Sequence, residues 1–449
     1  MQNQRENIFP ALLFLIMLVL HPSPACIGQT IKYSEINHWS WHIGKTTLVL
    51  SGSYRLRGER QDEFHVKTYG TGKTEDFLLS RLRLETDIRL SQWMRAHFQL
   101  QDARVWGSSS SDRDFDLGNN PFHDPLDINQ AYMEWLPLHA LKLKIGRQAI
   151  LFRDRRIFGP GDWGNTGRYA WDAAILTVNN SLIESNLIVG RFILHDPDRW
   201  PNKWVDGPTA FASYNSFSNL PFLLDVFYVF KYDNRGITPG EEQSGNLSSH
   251  SFGLWLNGKW ESFEYGATGV GQLGKWVLDD IRAYGLVGSL RYQWKSHWQP
   301  LVKLQCIIGS GDSNPTDGIH GTFDGVFGGA DTDLYGWMNM FFWQNVREYR
   351  LDIKLIPNNE FTLKGEYHYF TLDSPSDAWY FPSKTLRQDN TSASGRELGH
   401  EIDMTARMKL RDYLELLAGT SFFKPGEFVQ KSGKSPVANW YFLETTYYF

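Results

Sequence analysis

Arginine set among carboxylates is the chemistry that stands out in this chain. Residues 146 to 168 contain Gly146-Arg147-Gln148, Arg153-Asp154-Arg155-Arg156 and Asp162-Trp163-Gly164-Asn165-Thr166-Gly167-Arg168. Upstream stand Arg55, Arg57, Arg81, Arg83, Arg89 and Arg95. Guanidinium is a planar, permanently charged fork that grips a carboxylate through two parallel hydrogen bonds. Rings of such groups inside a pore select anions. Asp154, Asp162, Glu85 and Asp87 would hold the arginines in place and lower the local charge enough for a bound polyanion to leave. Any single arginine can instead belong to an ion-pair network that only braces a wall. The bias toward Arg over Lys through the first 170 residues speaks for a collective role.

Other chemistries leave weaker traces. There is no His-Glu-x-x-His, no paired cysteine and no Gly-x-Ser-x-Gly elbow, so no catalytic residue, metal or cofactor is expected. Gly269-Val270-Gly271-Gln272-Leu273-Gly274 matches a dinucleotide-binding pattern, but it lies inside a strand pattern with no helix after it. Asp312 to Gly318 is acidic and turn-rich, yet it misses the calcium-loop spacing and lacks the closing Glu. A net charge of -5 argues against nucleic acid as a partner.

The elements that must carry the arginines show a period of two, the signature of β-strands. Leu48, Leu50, Gly52, Tyr54 and Leu56 share one face, and Ser51, Ser53, Arg55, Arg57 and Glu59 the other. Leu78, Leu82, Leu84, Ile88 and Leu90 oppose Leu79, Arg81, Arg83, Glu85, Asp87 and Arg89. Similar alternation covers 95–101, 130–135, 141–146, 222–232, 251–260, 263–272, 283–292, 301–309, 350–356, 361–370, 401–410, 415–423 and 440–449. A soluble β-sandwich or propeller also alternates, but it would not set strands with so many charges on one face and Leu, Tyr and Trp on the other. If the apolar face meets lipid, the charged face meets a lumen. An Arg turned to mid-bilayer lipid would cost about 2–4 kcal/mol.

Connectors are of two kinds. Short ones lie at 91–92, 261–262, 357–359 and 412; long polar ones cover 107–127, 196–219, 234–249, 309–333 and 373–397. Short periplasmic turns and long extracellular loops are the habit of bacterial outer-membrane barrels. At about 10 residues per strand, plus connectors, a mature chain of roughly 420 residues gives about 18 strands, with 16 as the competing even number. About 17 candidates are recognisable, so one more is expected, placed within 334–343. The fold class is therefore all-β, a closed transmembrane antiparallel barrel. Aromatic content of 15% with a mean hydropathy of -0.40 fits strands that are greasy on one side only.

The N-terminus reads as a secretory signal over residues 1–28. Arg5 leads, Ile8 to Leu20 is an apolar run broken by Pro10, and Ser23-Pro24-Ala25 precedes Cys26. Cleavage falls before Cys26 or after Gly28, and removal of Cys26 leaves no disulfide. The barrel then occupies 29–449. The apolar run of the leader is too short to span a bilayer, and no later run approaches about 18 apolar residues.

Several blocks resemble the alginate export porins of the outer membrane. They are Gly146-Arg147-Gln148 with Arg156, Gly159-Pro160, Asp162 to Arg168 and Asp172; Ser310 to Pro315 with Asp317-Gly318 and Gly321 to Asp324; Asp377 to Tyr380; and Gly399 to Asp403. Tyr441 to Phe449 resembles the aromatic C-terminal assembly signal of such proteins. Ala149-Ile150 departs from the polar pair that usually follows Gly-Arg-Gln. The resemblance implies an 18-stranded barrel that passively exports an alginate-like polyuronate. It implies lumen positions for Arg147, Arg153, Arg155, Arg156, Asp162, Asn165 and Arg168, beside Arg55, Arg57, Arg81, Arg83 and Arg95. Expected partners are an anionic polysaccharide, outer-membrane lipid and lipopolysaccharide, the barrel-assembly machinery through the strand ending in Phe449, and periplasmic export proteins. A monomer is expected, because a closed barrel has no free edge. The alternatives are an anion- or sugar-acid-selective uptake porin and an outer-membrane enzyme.

Overall fold

The computed structural model describes residues 39–65, 68–114, 120–159, 161–203, 208–329, 331–381 and 384–449. The expected signal segment with Cys26, and Pro160 of the central block, lie outside the described residues. Long strands run β1 Thr46–His65, β2 Thr68–Ser91, β3 Met94–Trp106, β4 Asp124–Leu138, β5 Leu141–Ala149 and β6 Ala170–Asn179. They continue as β7 Ile183–Phe192, β8 Thr209–Phe217, β9 Phe222–Pro239, β10 Ser244–Trp260, β11 Phe263–Trp276 and β12 Asp279–Gln293. The last third holds β13 Leu301–Gly309, β14 Val346–Leu355, β15 Phe361–Thr371, β16 Glu397–Arg411, β17 Leu414–Pro425 and β18 Ala438–Tyr448.

Each strand pairs antiparallel with the next, as in β2 with β3 and β17 with β18. β18 returns to β1, with Ser53 opposite Tyr448 and Asp62 opposite Asn439. The result is a closed 18-strand antiparallel barrel, so the 16-strand alternative does not hold. Closure satisfies the backbone amides of strands that would otherwise present bare edges. A short strand, Trp39–Ile43, pairs with the start of β1 beside the seam. There Gly52 and Phe449 exchange two backbone hydrogen bonds of 2.6 and 3.0 Å.

Connections at one end are short: 92–93, 139–140, 180–182, 218–221, 261–262, 294–300, 356–360 and 412–413. At the other end lie 107–123, 150–169, 193–208, 310–345, 372–396 and 426–437. Two expected features differ. The connector placed over 196–219 contains β8, and the one placed over 234–249 is mostly strand, because β9 runs to Pro239 and β10 starts at Ser244. The strand expected within 334–343 is not one. That stretch is part of connection 310–345, which folds into the barrel with a single helical turn, α1 Thr332–Tyr335, and then irregular chain.

Exposed Phe98, Met133, Ile145, Leu187, Phe211, Leu254, Leu286, Leu304, Ile353, Met404 and Leu443 give the outside an apolar belt that a bilayer covers. The inside is divided. On β1 and β2 the inward residues are polar: Arg55, Arg57, Glu59, Arg81 and Arg83 are buried. On β6 to β13 many are apolar, including Trp171, Ile188, Tyr214, Phe227, Val270, Ile281 and Ile307, with polar residues such as Asp225, Gln272 and Gln305 among them. These apolar residues belong to one core with Phe158 of connection 150–169 and with Phe323, Phe327, Phe341 and Trp343 of connection 310–345. Fully burying each such side chain contributes about 1.5–3 kcal/mol, enough to draw both connections into the lumen. Main-chain bonds between Phe327 and Ile157 (3.0 Å) and between Gly159 and Phe327 (3.2 Å) tie the two connections together.

Candidate channel constriction

The basic wall is made by β1 and β2, where alternation places arginines two residues apart on the inner face. Arg83 grips the Asp162 carboxylate through Nη1 and Nη2, each at 2.8 Å. Arg81 adds Nη2 to Asp162 Oδ2 at 2.7 Å and donates through Nη1 to the carbonyls of Asp162 and Gly164. Arg55 donates to the same two carbonyls at 3.0 Å. Arg57 donates to the Trp163 carbonyl at 2.8 Å, to Glu59 at 2.7 Å and to Glu444 at 3.2 Å, and its guanidinium lies 3.8 Å from the Trp163 ring centre. Asn165 is fully buried, and its Nδ2 reaches the carbonyls of Ser80, Arg104 and Phe122 at 2.8–3.0 Å. One connection is thus pinned to the wall through its acceptors. Burial pushes the Asp162 carboxyl up, but Arg81, Arg83 and Arg55 overcome this and hold it well below the ordinary carboxylate range.

A second wall, on β14 to β16, is acidic and holds the second connection by its donors. Glu401 accepts the Met338 N–H at 2.9 Å, Asp403 the Trp337 N–H at 3.3 Å, and Glu366 the Trp337 indole N–H at 2.7 Å. Gly336 packs so closely here that a Cβ would lie 2.6 Å from Glu401 Oε1. His368 stands between Glu348 (2.6 Å) and Asp403 (3.1 Å), and Arg350 reaches Asp352, Glu366 and the Asp333 carbonyl. Sequence reasoning named Glu401 and Asp403 within a block but gave the acidic wall no role. The signal was present as alternation in Glu348, Arg350, Asp352 and in Glu366, His368.

The remaining expected residues are scattered. Arg147 forks onto Asp172 at 3.0 and 3.2 Å and reaches the Asn202 carbonyl at 2.6 Å. Arg153 forks onto Asp225 on the apolar side at 2.5 and 2.7 Å. Arg156 is buried on Asp154 at 3.0 Å and lies 5.1 Å from the Tyr335 ring centre. Arg95 pairs with Asp87 and, at 3.5 Å, Glu134, away from the two connections. Arg89 and Arg168 are exposed. Arg155 alone of the Arg153-to-Arg156 run lines the larger of two cavities, 3.2 Å from Asp333 and 3.8 Å from Asp331.

Two cavities flank the point where the connections meet. The larger, about 520 Å³, is lined by Arg55, Arg81, Arg83, Arg155, Asp162, Arg407 and Glu444 among others. The smaller, about 190 Å³, is lined by Arg57, Glu59, Gln61, His65, His195 and a mostly apolar remainder. Trp163, Asp331 and Trp337 line both and form the partition. Trp163 and Trp337 meet edge to face at 5.2 Å, and both pack on Trp440 and Phe442. Burial pushes the Asp331 carboxyl above the ordinary aspartate range, against the pull of Arg155. Asp331 and Trp337 had no sequence signal, because an irregular segment has no period to read.

Known proteins agree with this architecture. The solved structure of Pseudomonas aeruginosa OccK11 (OpdR) is 13% identical, with 90% of this chain and 96% of that one covered at a TM-score of 0.54. Pseudomonas aeruginosa OccK2 (OpdF) is 9% identical, covering 90% and 97% at 0.57. Acinetobacter baumannii OccAB2 is 10% identical, covering 93% and 99% at 0.56. At these identities the likeness carries the fold alone. No curated protein matches the chain significantly. The alginate export family profile, by contrast, matches residues 46–440, from the start of β1 into β18. The chain belongs to the alginate export family and forms a β-barrel channel of the bacterial outer membrane.

Proposed function

We propose that the channel passively exports an anionic exopolysaccharide, an alginate-like polyuronate, along the arginines of the larger cavity. The observation that carries this reading is the convergence of Arg55, Arg81, Arg83 and Arg155 on one 520 Å³ cavity. Uronate carboxylates match guanidinium forks. Family membership supports the substrate class, and the solved complex of OccK2 (OpdF) with glucuronate shows a uronate held by a barrel of this fold in that protein. Asp162 and Glu444 share the guanidinium donors and so keep each contact weak, which passage requires. No bond is made or broken in this role, so the protein acts as a channel rather than as an enzyme.

Under this reading residues 1–28 are a cleaved leader and the functional unit is a monomer in lipid and lipopolysaccharide. The strand ending in Phe449 engages the assembly machinery, and periplasmic export proteins deliver the polymer. The test is single-channel current in planar bilayers with added polyuronate. Arg153 and Arg156 pair away from the cavity, so the informative variant is Arg81→Gln with Arg83→Gln. The parent should be blocked by polyuronate and the variant blocked at least tenfold more weakly. Permeation of free uronate with no block by polymer would favour the uptake porin instead.

A further inference from the structure

The boundary shared by the two cavities carries an acid, not an arginine. Among the described residues, Asp331 is the sole charged side chain that lines both cavities. It is only 3% exposed, and its Oδ2 accepts the Gly161 N–H at 2.6 Å. The site is built tightly. A Cβ on Gly161 would sit 2.3 Å from Asp331 Oδ2 and 2.4 Å from an Arg155 guanidinium nitrogen, so a larger residue there would push acid and base out of place. Arg155 is drawn two ways, toward Asp331 at 3.8 Å and toward Asp333 at 3.2 Å.

We infer that Asp331 is the specificity-determining residue of the channel, setting the preference between anions and cations at the partition while Arg155 sets the opposing charge. A solute crossing from one cavity to the other passes this pair whatever it met before. The arginines of the larger cavity gather anions, and Asp331 opposes their onward step. This rests on the chain being a channel and not on the identity of its polymer.

The test is the reversal potential of the purified full-length channel in a potassium chloride gradient, with no polysaccharide present. Asp331→Asn keeps an oxygen for the Gly161 N–H and removes the charge; it should raise the anion-to-cation permeability ratio about fivefold, the scale of one unit charge a few ångströms from the path. Arg155→Gln should lower the ratio by a similar factor, and Asp331→Glu should leave it near the parent value. An unchanged ratio in Asp331→Asn overturns the inference, as does a shift in the same direction in both neutralised variants. If Asp331→Asn fails to fold, Asp331→Ser takes its place: a rise in the ratio upholds the assignment and no change overturns it. Failure of polyuronate to block the parent would count against the export reading and leave this measurement intact.

Discussion

Single residues in this lumen owe their chemistry to what the connections bring to them. Asp331 would be an ordinary loop aspartate if connection 310–345 lay outside the barrel. Folded in, its burial raises its pKa, while Arg155 and the Gly161 N–H favour the charged form and Asp333 opposes it. Tyr169 nearby stays neutral, its pKa pushed up to about 12 by burial. The carboxylate is therefore discharged at a higher pH than a solvated aspartate would be. As pH falls from neutral toward the ordinary aspartate range the partition loses negative charge, so anion preference of the parent should increase before solvated aspartates titrate. Reversal potentials taken across that range check this; Asp331→Asn should lack the component, and identical profiles for both proteins would refute the assignment. Asn165 shows the same dependence on context. In the sequence it stands among possible ligands for a solute, and in the fold its amide is spent on three backbone carbonyls.

At the scale of elements, the two infolded connections are held by opposite means. Connection 150–169 offers carbonyls and Asp162 to guanidinium groups; connection 310–345 offers N–H groups to carboxylates. Each wall has the sign that its connection's free backbone groups require, which avoids burying unpaired polar groups. The aromatic contact of Trp163 with Trp337 joins the two halves. Trp337→Ala should cost about 3–5 kcal/mol of local stability, since a large buried side chain is lost. It should also raise single-channel conductance by opening the partition. A conductance equal to the parent, in a barrel that still inserts, would show that the partition lies off the conducting path. Strand β5 illustrates a smaller constraint. Gly146 has a φ of 127°, and a Cβ there would lie 2.3 Å from the Ala131 carbonyl oxygen, so the first residue of the Gly-Arg-Gln block serves the β4–β5 pairing.

The whole molecule is defined by ring closure. The seam between β1 and β18 ends at the reciprocal bonds of Gly52 and Phe449, where a Cβ on Gly52 would lie 2.6 Å from the Phe449 ring. Removing Phe449 takes away both bonds and the ring that packs there. The yield of heat-modifiable, SDS-resistant barrel should then fall several-fold, as read by gel shift with and without boiling. An undiminished yield would mean that the seam closes without its last residue.

Much of this architecture was legible in the chain itself. The period of two on β1, β2 and most later strands, with charges on one face and Leu or Tyr on the other, dictates a closed sheet between lipid and water. Only that arrangement satisfies the backbone and the side chains together. The signal fails on β6, β7 and β8, because both faces are apolar there: Leu187 and Val189 look outward while Ile188 and Phe192 look inward onto the infolded connections. On β9 to β13, which border the same core, buried polar residues such as Asp225, Ser251, Gln272 and Gln305 keep the alternation readable. The constriction was out of reach for a related reason. Which arginine meets Asp162, that Arg153 turns away to Asp225, and that Asp331 and Trp337 stand at the partition all follow from contacts between segments far apart in the chain. Local pattern determines which way a strand residue points; long-range packing of irregular segments decides what it meets.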